Sequence, residues 1–230
     1  MNHWMRRIAA ILIGIAAIAG CAPNTPPQSP TSVRPESAFP EAHYLEAQAR
    51  GEKILRVDAN ASQIVLEVRR AGAFARFGHD HVVASHDVQG YVAPDEGRAD
   101  LLIRLDQLVV DEAPLRKQAG FDTQPTPDDI AGTRRNMLSR VLEAERFPFA
   151  LVHITRAGNA STLTVAITLH GVTRSFEVPA TIDIRPGRMI VDGSMHFNQT
   201  DFGIVPFAIL NGALSVQNQL ELHFHIAARS

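Results

Sequence analysis

The chain has 230 residues, with 22 Lys and Arg against 24 Asp and Glu, a formal charge of −2 and a single cysteine. That balance, without any basic cluster, excludes a nucleic-acid surface, and a lone cysteine excludes an internal disulfide framework, so packing alone must hold the fold. The length suits a leader followed by one domain.

The N-terminus comes first. Arg6 and Arg7 precede an apolar or small run, Ile8 to Ile18, which closes on Ile18-Ala19-Gly20-Cys21. The run is too short to span a membrane as a helix and reads as a secretion signal. Cys21 stands where a lipobox places the thiol that is diacylglycerated before cleavage, so it is the expected lipidation site, carrying acyl chains such as palmitate. Ile18 occupies a position where Leu is commoner, and the Ile-Ala-Ala after the Arg pair argues against twin-arginine export. Loss of residues 1–20 removes two Arg and no acid, which takes the formal charge from −2 to −4. Ala22, rather than Asp, follows the cysteine; by general sorting rules the expected location is the outer membrane, facing the periplasm. Pro23, Pro26, Pro27, Pro30, Pro35 and Pro40 then alternate with small polar residues. Such a stretch buries too little apolar area to offset its ordering entropy and predicts an extended tether. The predicted division is a signal peptide over 1–20, lipidated Cys and tether over 21–50, and a β-domain over 51–230.

From Lys53 onward the pattern has period two. Ile64, Leu66 and Val68 share a face, as do Leu163, Val165, Ile167 and Leu169, and again Leu220, Leu222, Phe224 and Ile226. This predicts half-buried antiparallel strands. Further strands are expected over 53–58, 73–83, 85–93, 99–110, 148–157, 174–184 and 188–197. One stretch departs from the pattern. Thr126-Pro127-Asp128-Asp129 has the form of an N-cap, a proline in the first turn and acids at the positive dipole end. Ile130, Met137, Leu138, Val141 and Leu142 then recur at helical spacing up to Pro148, so one helix is inserted between strands. Many strands, one helix and short turns predict an all-β fold, an antiparallel lipocalin-like barrel of about eight strands, because closure removes exposed edges. A barrel of that size is either plugged by side chains or holds one ligand, and periodicity does not separate the two.

Val57-Asp58 followed by Ser62, Glu145-Arg146-Phe147-Pro148, Leu169-His170-Gly171-Val172-Thr173-Arg174 and Gln199-Thr200-Asp201-Phe202-Gly203-Ile204, in this order, resemble the YceI-like family over nearly all of 53–228. The resemblance implies an exported, lipocalin-like barrel that encloses a polyisoprenoid chain. Independently of it, Gly171 suits the positive φ of a tight hairpin, and His170 reads as a turn residue. The chain departs from the family pattern at Ala61, where a His often precedes the early Ser.

It has instead Phe77-Gly78-His79-Asp80-His81 and then His86-Asp87. Two apart on a strand, His79 and His81 project to one side, and with His86 or Asp87 from the next strand they offer a metal-ligand set. His223 and His225 form a second such pair. The competing reading is a polar cluster at a barrel mouth, His79, His81, His86, His170 and Asp201, that meets a ligand's head group. No Gly-x-Ser-x-Gly, phosphate loop or His-Glu-x-x-His helix occurs, and Asp58, Asp106 and Asp111 show no visible pairing, so no enzymatic role is expected.

The function expected is binding of an elongated apolar ligand, by resemblance a polyisoprenoid lipid or isoprenoid quinone, with no other cofactor. Candidate wall residues are Leu66, Phe74, Phe77, Leu105, Phe149, Ile167, Phe176, Phe197, Phe202 and Phe224. The partners are the lipid ligand and a membrane reached through Cys21, with homodimerisation left open. A His-rich metal- or redox-linked periplasmic protein and a ligand-free envelope interaction domain stand as alternatives.

Overall fold

Alternating segments become strands wherever turn residues bound them. A computed structural model describes residues 39–230, so the signal sequence, Cys21 and the tether as far as residue 38 lie outside the described residues. In chain order the elements are α1 (Glu41–Ala49), β1 (Leu55–Val57), β2 (Gln63–Val68), β3 (Arg70–Ala71), β4 (His81–Ser85), β5 (Val88–Ala93), β6 (Arg98–Arg104), β7 (Val109–Val110), α2 (Ala113–Gln118), α3 (Pro127–Asn136), β8 (Phe149–Thr155), β9 (Thr162–Leu169), β10 (Val172–Arg185), β11 (Arg188–Asn198), β12 (Ala208–Ile209), β13 (Leu214–Val216) and β14 (Gln219–Arg229).

The main sheet runs β1-β5-β6-β8-β9-β10-β11-β14, and β14 pairs back onto β1, which closes it. Further along its edge β14 also carries β2, which leads on to β4 and β7. The pairs β1/β2, β4/β5 and β6/β7 are therefore three long strands, each bent once, and the result is a closed eight-stranded antiparallel meander. Ser62 fastens the first bend: its hydroxyl donates to the Ala227 carbonyl at 3.2 Å and accepts from the Ala227 N–H at 3.0 Å. β12, β13 and β3 form a small sheet against one end. The described residues, 39–230, belong to one compact unit, so the closed barrel is self-contained.

The three alternating runs turn their aliphatic faces inward, since Ile64, Leu66, Leu163, Val165, Ile167, Leu169, Leu220, Leu222, Phe224 and Ile226 all line the lumen. Two predicted strands differ. Over 73–83 the first part is a 3-10 turn, Ala75–Phe77, bracketed by Gly72 and Gly78, and the strand begins only at His81. Over 99–110 a 3-10 turn at Leu105–Gln107 shifts the register, so Leu108 and Val110 join Leu105 inside while Val109 faces outward. The helix forms where expected. Thr126 caps it in a reciprocal box with Asp129, and α3 continues through a π-turn at Met137–Val141. The β9–β10 hairpin turns through His170 (φ 53°) and Gly171 (φ 76°), the paired positive φ of a tight primed turn.

Helix α1 falls in the segment read as tether, yet it packs on the outside of the barrel. Its Tyr44 is fully buried, stacks on Tyr91 at 5.2 Å and donates to Asp100 at 2.5 Å. Burial, then the Asp100 contact, pushes the Tyr44 hydroxyl well above the ordinary tyrosine range. A raised pKa contributes stability that is fully present below the unfolded value of about 10 and is lost above it. Tyr44→Phe is expected to cost about 1.5–3 kcal/mol at neutral pH, because it removes a hydrogen bond to a charged group. It should also flatten the loss of stability above about pH 10; urea titrations at neutral and alkaline pH check both. Among the described residues, no helix is long and apolar enough to cross a membrane.

Candidate ligand cavity

Every inward side chain on β2 keeps part of its surface exposed, as do Val152, Val191, Met195 and Leu222. In a plugged barrel such residues would be buried against one another. Here they face open space. A cavity of about 260 Å³ occupies the end of the barrel beneath α3, and another of about 130 Å³ lies toward the end that carries the 94–97 turn. Both are lined by Ile64, Val152, Ile167 and Leu222, which form a shared waist. A single water needs only about 10–15 Å³, and a wall of aliphatic side chains gives water few partners. Gly193 helps to keep the smaller lobe in shape: it sits opposite Phe224 in the β11–β14 register, and a Cβ there would lie 2.5 Å from the Phe224 ring.

Of the candidate wall residues, Leu66, Leu105 and Phe197 line the larger lobe, Phe224 the smaller and Ile167 both. Phe176 and Phe202 line neither lobe and instead cluster with Phe197 at ring distances of 6.4 and 5.5 Å, and Phe202 is fully buried. Three candidates lie outside the lumen. Phe74 and Phe77 are 44% and 65% exposed because the 3-10 turn carries them away from the sheet. Phe149 has the opposite parity to the lumen-facing Ala150 and Val152 on β8.

The polar candidates divide by place. His81 lines the larger lobe. Its neighbour His79 has an Nδ1 that is buried without a hydrogen bond, and its Nε2 stands 3.8 Å from Asp129. His170 packs on Phe147 with ring centroids 4.5 Å apart. Asp201 accepts the Asn198 N–H at 3.0 Å and closes a 3-10 turn. His86 is on the outside, at the β4/β5 bend, 2.7 Å from Glu112. His79, His81 and His86 therefore do not converge on a metal position. Among the described residues, three ligand atoms come within 4.8 Å of one another at Glu67, Glu221 and His223, on the outer face.

The polar structure that matters most at the lumen surrounds a carboxylate with no pairing visible in the sequence. Asp111 follows β7 with φ 59°, an uncommon conformation for a non-glycine residue. It receives His81 Nδ1 at 2.6 Å, the Val82 N–H at 3.0 Å and Arg116 Nη1 at 2.5 Å. Arg116, from α2, also donates to the Asp80 carbonyl and, at 2.5 Å, to the Thr123 carbonyl. Burial pushes the Asp111 carboxyl up, but the His81 contact, the Val82 N–H and Arg116 outweigh it and hold the carboxyl below the usual carboxylate range. Ser85, at the other end of β4, is 2% exposed; it lines the larger lobe and its hydroxyl has no hydrogen-bond partner.

A family model for the YceI-like domain matches residues 55–228. The chain belongs to the YceI-like family. Two solved structures share the YceI-like barrel. A polyisoprenoid binding domain from Saccharophagus degradans, implicated in plant cell wall breakdown, is 14% identical with a TM-score of 0.56, covering 76% of this chain and 98% of the other. BcnA of Burkholderia cenocepacia is 13% identical with a TM-score of 0.50, covering 74% of this chain and 98% of its own. At such identities the likeness shows a shared fold. Among curated proteins none matches the chain. Within the YceI-like fold, the Asp111–Arg116 assembly was hidden from sequence reading, because its members come from β4, the end of β7 and α2.

Proposed function

We propose that this protein is an envelope lipoprotein that binds an elongated apolar ligand, a polyisoprenoid lipid or isoprenoid quinone, inside its barrel. The observation that carries the reading is the two-lobed apolar lumen with a common waist at Ile64, Val152, Ile167 and Leu222. A tail passing the waist exchanges water for aliphatic walls, worth about 0.8 kcal/mol per CH₂, so several isoprene units bind through area alone. Membership of the YceI-like family and the ligand class of the Saccharophagus domain support the isoprenoid assignment. Acylation at Cys21 would hold the barrel at the outer membrane, facing the periplasm, with the proline-rich segment as spacer.

The test is to purify residues 33–230 without detergent, extract with organic solvent and identify the extract by mass spectrometry. A prenyl lipid or quinone at near-stoichiometric amount is expected. Empty extracts, together with no uptake of added prenyl lipid, would overturn the assignment. Anchoring is tested separately, by metabolic labelling with palmitate in the full chain and its Cys21→Ser variant: label should enter only the former.

A further inference from the structure

We infer that the larger lobe recognises an uncharged hydroxyl head, such as that of a prenyl alcohol or quinol, through Nε2 of His81; this rests on the apolar-ligand reading above. With Nδ1 held 2.6 Å from the Asp111 carboxylate, the proton on that nitrogen is committed to Asp111. The ring then presents Nε2 as an acceptor to the lobe that His81 lines. Asp111 is itself fixed by Arg116 and the Val82 N–H, so the imidazole is oriented before any ligand arrives. Asn136, Thr133 and Gln199 add neutral polar groups to the same lobe.

Charge argues against an anionic head at this place. No Lys or Arg lines the larger lobe, and the nearest buried cation, Arg116, is taken up by Asp111 and two carbonyls. A diphosphate would lose its water there without a counter-charge. Arginines line only the other lobe, where Arg98 is held by Asp100 and Arg156 donates to the Ala160 carbonyl. Ser85 lies four residues from His81 on the same strand face, roughly 13 Å away at strand spacing, so its hydroxyl meets the ligand or a water at the waist rather than the head.

Three probes with one tail separate the possibilities: farnesol, farnesyl diphosphate and headless farnesene, each displacing N-phenyl-1-naphthylamine from residues 33–230. Farnesol should bind about threefold to tenfold more tightly than farnesene, the worth of one hydrogen bond, and more tightly than the diphosphate. His81→Phe should erase the preference for farnesol over farnesene while farnesene still binds; Ser85→Ala should keep it. In the unmutated protein, farnesol and not farnesene should shift the ¹⁵N resonance of His81 Nε2, a readout that does not depend on a variant folding. Tighter binding of the diphosphate, a farnesol preference that survives His81→Phe, or an unmoved Nε2 resonance overturns the inference and leaves the apolar-ligand reading intact. If farnesene and farnesol both fail to bind, that reading falls and takes the inference with it.

Discussion

Replacing Arg116 with Met is expected to destabilise the protein by about 3–5 kcal/mol, because it strands the Asp111 carboxylate in a buried site without its counter-charge. For a domain of this size that is a fall in melting temperature of roughly 6–20 °C. Both side chains are almost fully buried, and Arg116 also satisfies the Asp80 and Thr123 carbonyls. Asp111→Asn in the same chain should recover part of the loss, since the stranded charge is then gone. The pH dependence follows from the lowered Asp111 pKa. Its contribution is present above the unfolded carboxylate value of about 4 and fades as pH falls below it, so the difference between parent and Asp111→Asn should shrink in acid. Urea denaturation from about pH 3 to 7 measures this. A loss under about 1 kcal/mol for Arg116→Met would mean that solvent reaches Asp111 and that His81 is not rigidly oriented.

Ile167→Trp should abolish ligand uptake, lowering affinity for a prenyl alcohol at least about a hundredfold, while the barrel stays folded. Ile167 belongs to both lobes. An indole there would close the waist and leave neither lobe long enough for the tail; losing even four buried CH₂ groups at about 0.8 kcal/mol each is worth more than two decades of affinity. Large-for-small changes in filled cores commonly cost 1–3 kcal/mol. At this position the added volume enters empty space, so the melting temperature should move by only a few degrees. Val152→Trp, on the adjacent strand β8 where Val152 pairs with Ile167, is a second variant that fills the same waist. Unchanged uptake in both variants would show that the ligand sits elsewhere.

Much of the architecture is legible in the order of the amino acids. The runs at Ile64–Val68, Leu163–Leu169 and Leu220–Ile226 each turned out to be a lumen wall, and Thr126 to Asp129 capped the inserted helix. Period and capping are local properties, set within a few residues of chain. Phe74 and Phe77 misled for the same reason. Alternation in Ala-Phe-Ala-Arg-Phe resembles a strand, but glycines on either side let the chain turn there, with Gly72 at φ 91°.

What the amino-acid order determined by itself was a rolled antiparallel sheet with greasy faces, one helix, and a family resemblance that names an isoprenoid. Only the tertiary structure decided that the staves stand far enough apart to leave a lumen, that Phe149 points away from it, and that His81, Asp111 and Arg116 meet. The reason is distance along the chain. Inside and outside, and full and empty, depend on how eight strands close on one another, and the carboxylate that orients His81 lies thirty residues further on.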